Sequence, residues 1–193
     1  MSNNKIRALY NDKTIRVYQA YNPIIAKQAV KLQTFGSAFK KGRMTWIKPS
    51  FFWMMYRCGW ATKVGQEHVL AIDITIEGFL EILSRSTLSS YKPEKHESKE
   101  QWQQWLEQYS GRVQWDPERD YQLLPLDYRS IQIGLKDDLV SSYINDWIVK
   151  ITDITEDVKK IYNELDRYHG NHPLLPMEKE FEIHDEAVLR RIF

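Results

Sequence analysis

The chain has 193 residues, 42% of them hydrophobic and 27% charged, with 25 aromatic side chains (seven Trp, eleven Tyr, seven Phe) and a formal net charge of +1. That is one domain's length with apolar residues enough for a sizeable core, which excludes a disordered, collagenous or low-complexity chain. The near-neutral total hides a division: residues 1–63 carry twelve Lys or Arg against one acid, Asp12, while residues 64–193 carry fifteen basic against twenty-five acidic side chains. Such asymmetry points to an anionic ligand at the basic part, unless the two parts neutralise each other on folding.

In chain order, residues 1–7 lack the apolar core of a signal peptide. Residues 15–18 read as a short strand, after which Asn22 is placed to cap a helix with Pro23 at its first position. Ile24, Ile25, Ala29 and Val30 form its apolar stripe, and Gly36 is the expected stop. Residues 39–48 are basic and irregular. Pro49 and Ser50 open a second helix over 51–60, apolar nearly all round and so expected in the core. Its single charge, Arg57, must then meet a carboxylate or reach a site. Its longest apolar run, 51–56, is far too short to span a bilayer. The one cysteine, Cys58, excludes an internal disulfide and fits a reducing compartment. A soluble, cytoplasmic protein with no membrane partner is the expectation.

A β-branched strand follows at 68–74, then a short helix capped by Thr75 and a polar loop at 91–97. Ser98 and Gln101 make a capping-box pattern before Trp102, Trp105, Leu106 and Tyr109, with Gly111 as the stop. A strand at 112–115 is expected to break at the turn Asp116-Pro117-Glu118. The strand at 128–134 alternates, with Tyr128, Ser130 and Gln132 on one side and Arg129, Ile131 and Ile133 on the other. A helix with Leu139, Val140, Tyr143, Ile144 and Trp147 inward, a strand at 148–151 and a helix capped by Thr155 complete the body. Residues 170–176 read as a linker before a terminal helix at 185–193. Strands and helices mix without steady alternation, so the expected fold is α+β, a single domain over 1–170 with a mixed or antiparallel sheet and flanking helices, plus a C-terminal extension over 171–193.

Several chemistries find no support. Neither Gly-x-x-x-x-Gly-Lys nor Gly-x-Gly-x-x-Gly occurs, which argues against P-loop and Rossmann nucleotide sites. His169 and His172 sit among Gly170 and Pro173 with no third ligand at metal spacing, so no metal is expected. There is no Gly-x-Ser-x-Gly elbow, and Cys58 sits where a thiolate is disfavoured. The informative segments are Arg16-Val-Tyr18-Gln19-Ala-Tyr21 and Arg43-Met-Thr45-Trp46-Ile-Lys48-Pro49. They combine cations that bind phosphate with aromatic faces that stack on a base and amide and hydroxyl groups that bond a sugar. The bland alternative makes Tyr18, Tyr21 and Trp46 core or rim aromatics beside solvated lysines.

The strings IRVYQAYNP, RMTWIKPSFFWMMYRCGWATK, VLAIDI, VQWDPERD and YRSIQIGL resemble domain-of-unknown-function family 4291 over about residues 6–168. A more distant similarity is to the ADP-ribosyltransferase superfamily. Tyr18-Gln19-Ala20 stands where that superfamily carries its first-strand motif, Met44-Thr45-Trp46 at its second, and Gln132 where a late strand carries a glutamate. That resemblance implies NAD as the cofactor, with Gln132 or the nearby Glu118 at the catalytic position. A glutamine cannot supply the carboxylate that stabilises an oxocarbenium-like centre, so binding is implied more strongly than transfer.

The expectation is a nucleotide- or NAD-like ligand in a cleft floored by strands 15–18 and 128–134. Arg16 and Lys48 hold phosphate, Tyr18 or Trp46 stacks, Gln19, Thr45 and Gln132 bond ribose or carboxamide, and Arg129 and Ser130 support the site. The alternatives are an RNA- or DNA-binding module using the basic N-terminal third, and an interaction protein whose basic surface meets an acidic partner.

Overall fold

The computed structural model describes residues 3–193; Met1 and Ser2, at the start of the expected domain, lie outside the described residues. Two antiparallel partners flank the strand His68–Thr75 (β5): Thr14–Tyr21 (β3) on one side and Ile148–Asp153 (β9) on the other. A second, mixed sheet is built on Pro125–Leu135 (β8). It pairs antiparallel with Gly111–Arg119 (β7), which in turn pairs parallel with Ser86–Leu88 (β6). Asn4–Lys5 (β1) and Thr45–Ile47 (β4) share the other edge of β8, β1 parallel and β4 antiparallel. Arg7–Ala8 (β2) forms a two-stranded ribbon with Lys179–Glu180 (β10) near the C-terminus. The fold is α+β.

The helices begin where local side chains satisfy their free N–H groups. Asn22 accepts from Ile24 and Ile25 at the start of Pro23–Leu32 (α1), and Ser50 accepts from Trp53 in Phe51–Cys58 (α2). Thr75 accepts from Gly78 in Ile76–Ser84 (α3), and Ser98 from Gln101 in Lys99–Gln108 (α4). Asp138–Ser142 (α5) runs into a π-helical turn, Tyr143–Trp147, then β9 and Thr155–Tyr168 (α6). Asp185 caps Glu186–Ile192 (α7).

Four local expectations are corrected. α1 stops at Gln33, in the left-handed region at φ 55°, before Gly36 is reached. Its buried residues are Ala26 and Ala29, while Ile24 stays exposed. Thr155 does not cap α6: Oγ1 accepts from Val69 N–H and donates to Asp153. β7 runs through Asp116-Pro117-Glu118 with a bulge instead of breaking. Pro117 is tolerated because β6 ends opposite Val113, leaving β7 one partner strand there and no ladder bond for the missing N–H to make.

The larger core lies between the three-stranded sheet, the mixed sheet (Ile47, Val113, Ile131, Ile133 and Leu135), α1, α3 and the π turn, and takes in Val188 and Ile192 of α7. A smaller one gathers Tyr18, Phe51, Met54, Met55, Trp60, Val158 and Ile161 between α2 and α6. The C-terminal segment is therefore docked: Phe181 N–H bonds Ile6 O and the Trp115 indole bonds Ile192 O. Among the described residues no helix is long and apolar enough to cross a membrane.

Candidate functional site

Among the described residues a single isolated backbone bridge joins the two main sheets. Tyr18 N–H donates to Lys48 O at 2.7 Å, and Lys48 N–H donates to Tyr18 O at 3.3 Å. Past it, towards Tyr21 on β3 and Thr45 on β4, the strands make no further ladder, and the Gln19 side chain fills the gap. Its amide donates to Thr45 Oγ1 (2.7 Å), Trp46 O (3.1 Å) and Tyr21 Oη (2.9 Å). Its carbonyl accepts from the buried Tyr143 hydroxyl, 124 residues away in sequence, at 2.8 Å. Both ends of the amide are engaged, so Gln19 is a rigid floor post.

Above this floor a cavity of about 800 Å³ opens between the end of β3, the start of α1, the 38–46 segment, α2 and the turn at 64–66. Among the described residues four cations line it, Lys40, Arg43, Lys48 and Arg57, and no acidic side chain does. The start of α1 lines it through Asn22, Ile24 and Ile25, and that helix carries no acid in its first turn, although the Asn22 cap already takes the Ile24 and Ile25 N–H groups. Trp46 is half-buried and lines the cavity, its ring lying against Gly134 of β8.

The charge division survives folding. Of the twelve basic residues among 1–63, only Lys5 (to Glu180) and Arg16 (to Asp73) form ion pairs among the described residues. Arg57 is exposed and lines the cavity, and among the described residues it forms no ion pair with a carboxylate. Lys48 is 5% exposed, and burial, seconded by Arg57, brings its ammonium down to about 8, against the opposing pull of Asp116.

The anticipated residues divide. Gln19, Thr45, Trp46 and Lys48 meet at the cavity, whose floor is β3 and β4 and not β3 and β8. Arg16 does not reach it: Nε and Nη2 fork onto both oxygens of Asp73 at 2.8 and 2.9 Å. Tyr18 is buried edge-on to Phe51, with no face free for stacking. Gln132 donates to Asp116 at 2.7 Å, Arg129 to Trp115 O at 2.9 Å, and Ser130 is buried beneath the sheet surface. Glu118 lies under the start of α2, accepting from Ser50 Oγ at 2.8 Å and held above the usual carboxylate range by burial. Tyr143 is buried on the inner helix face as the sequence indicates, but its role in locking Gln19 was not read from it; the signal was a hydroxyl on an otherwise apolar helix face.

The model for the domain of unknown function DUF4291 matches residues 5–181 of the 193. The chain belongs to the DUF4291 family. No curated protein matches it. The match spans the β3 and β4 segments that build the cavity and stops at Phe181, so α7 lies beyond the DUF4291 boundary.

Proposed function

We propose that the cavity binds a nucleotide- or NAD-like phosphorylated ligand. The observation that carries this reading is its lining, among the described residues, of four cations and no acid, in a space of ligand size. Arg43, Lys40 and Arg57 would take phosphate oxygens, for which guanidinium and ammonium groups give strong charge-assisted bonds. Trp46 offers a ring to a base or nicotinamide, and Asn22 and Gln66 offer amides to a sugar. ADP-ribosyl transfer would ask for a carboxylate at the departing ring as well. Glu118 and Asp116 are both outside the lining, so the proposal is binding first, with NAD cleavage as the activity to assay.

Calorimetric titration with NAD, ATP and ADP-ribose tests this. Binding of at least one is expected, and Arg43→Ala or Arg57→Ala should each weaken it by about ten- to a hundred-fold. No heat from any of the three would overturn the reading. The exposed Lys27, Lys31 and Lys41, which lie outside the cavity and form no ion pair among the described residues, favour RNA or DNA as the second reading. There, affinity would fall steeply with salt.

A further inference from the structure

Lys48 is the least ordinary side chain in the cavity. Its stem is buried, its residue lines the cavity, and among the described residues its amine forms neither an ion pair nor a hydrogen bond. The Trp53 ring, 5.7 Å from Nζ, lies against it. A buried lysine is nearly always paired, because an unpaired ammonium in a poorly solvated site is costly. The groups whose charge reaches it are Arg57, Cys58 and Asp116. Arg57 repels an ammonium, and the Cys58 thiol is itself pushed up by burial and so stays neutral. Asp116 is already engaged by the Gln114 and Gln132 amides at 3.0 and 2.7 Å.

We infer that the Lys48 amine is a covalent attachment point, condensing with the aldehyde of a phosphorylated sugar, such as the free anomeric carbon of ADP-ribose, to form an imine. The inference rests on the phosphate-binding reading of the same cavity. The neutral amine attacks the carbonyl carbon, and the carbonyl π pair moves to oxygen. The two amine protons leave with that oxygen as water, and a carbon–nitrogen double bond remains. No oxidant and no further reactant is needed. The surroundings suit each part: Lys40, Arg43 and Arg57 hold the phosphate, and the polar Gln19, Thr45 and Tyr21 groups lie on the floor beside the sugar. Burial also supplies the uncharged amine, since Lys48 loses its proton near 8 and a reactive fraction exists at neutral pH.

The test is trapping on the full chain with cyanoborohydride, which fixes an imine as a stable amine, followed by intact mass and peptide mapping. ADP-ribose and ribose 5-phosphate should each add one sugar, mapped to Lys48, with a rate that rises with pH towards about 8. Unphosphorylated ribose should react at least about ten-fold more slowly, for want of the phosphate grip. NAD, whose anomeric carbon is blocked, should compete without being attached. Lys48→Met should lose the label; the peptide map of the native chain decides the matter even if that variant does not fold. Label spread over the exposed Lys27, Lys31, Lys40 and Lys41 would overturn the inference. So would the absence of label while calorimetry shows ADP-ribose bound, an outcome that leaves the binding reading standing. No heat and no label would remove both.

Discussion

Glu178 accepts the Phe51 N–H at 2.7 Å although the two residues are 127 positions apart. Phe51 opens α2, so a carboxyl from the C-terminal segment closes that helix's start beside the Ser50 cap. Burial lifts Glu178 to about 8; the Phe51 bond opposes the shift, while neighbouring Glu118 adds to it. The unfolded chain releases this proton near the ordinary 4.5 and the folded chain keeps it until about 8. The stability it contributes is therefore full below 4.5, declines across the interval and is gone above about 8. Glu118, raised by burial too, acts in the same direction. In Glu178→Gln, whose amide oxygen still accepts the Phe51 N–H, thermal melts should show a flatter pH dependence and a higher Tm above about pH 8. Equal pH slopes in the two proteins would contradict this.

Arg16 and Asp73 face each other across β3 and β5 in direct register. Their side chains are 25% and 19% exposed, so the forked pair is less screened than a surface bridge. The Asp73 contact also raises the guanidinium above its ordinary value. Arg16→Gln is expected to cost about 1–3 kcal/mol in denaturant unfolding, with a double-mutant cycle to Asp73→Asn showing coupling. Nucleotide affinity should stay unchanged. A ten-fold loss of affinity would return Arg16 to the binding site.

Gly134 leaves room for the aromatic wall of the cavity. A Cβ there would stand 2.6 Å from Met44 Sδ, closer than these groups can sit, and 3.0 Å from the Trp46 ring, close enough that one of them must shift. Gly134→Ala should destabilise by about 1–3 kcal/mol, as overpacking does, and should weaken ligand binding by displacing Trp46. Paired melts and titrations check this. Unchanged affinity alongside a lowered Tm would mean that Trp46 does not stack on the ligand.

Much of the local architecture was legible. The caps at Asn22, Ser50, Thr75 and Ser98 each act within three residues, so sequence neighbours suffice to specify them. Thr155 shows the limit. It stands at the start of α6 with a capping residue's chemistry, but the adjacent β5 strand claims its hydroxyl through Val69 N–H. Pro117 shows another, since whether a proline ends a strand depends on how far the neighbouring strand extends.

The basic first third, the α+β mixture and the pairing of aromatic with cationic segments at 16–21 and 43–48 were determined by the sequence alone, because composition and short-range spacing carry them. Which cations remain free was decided only by tertiary structure. Arg16 and Lys48 look alike in sequence, each a cation next to an isoleucine and two residues from an aromatic side chain. Register places Asp73 opposite Arg16 and the Tyr18 backbone opposite Lys48, so one charge is neutralised while the other is left facing the cavity. A cation's role depends on what the neighbouring strand presents to it, and that is a property of long-range pairing.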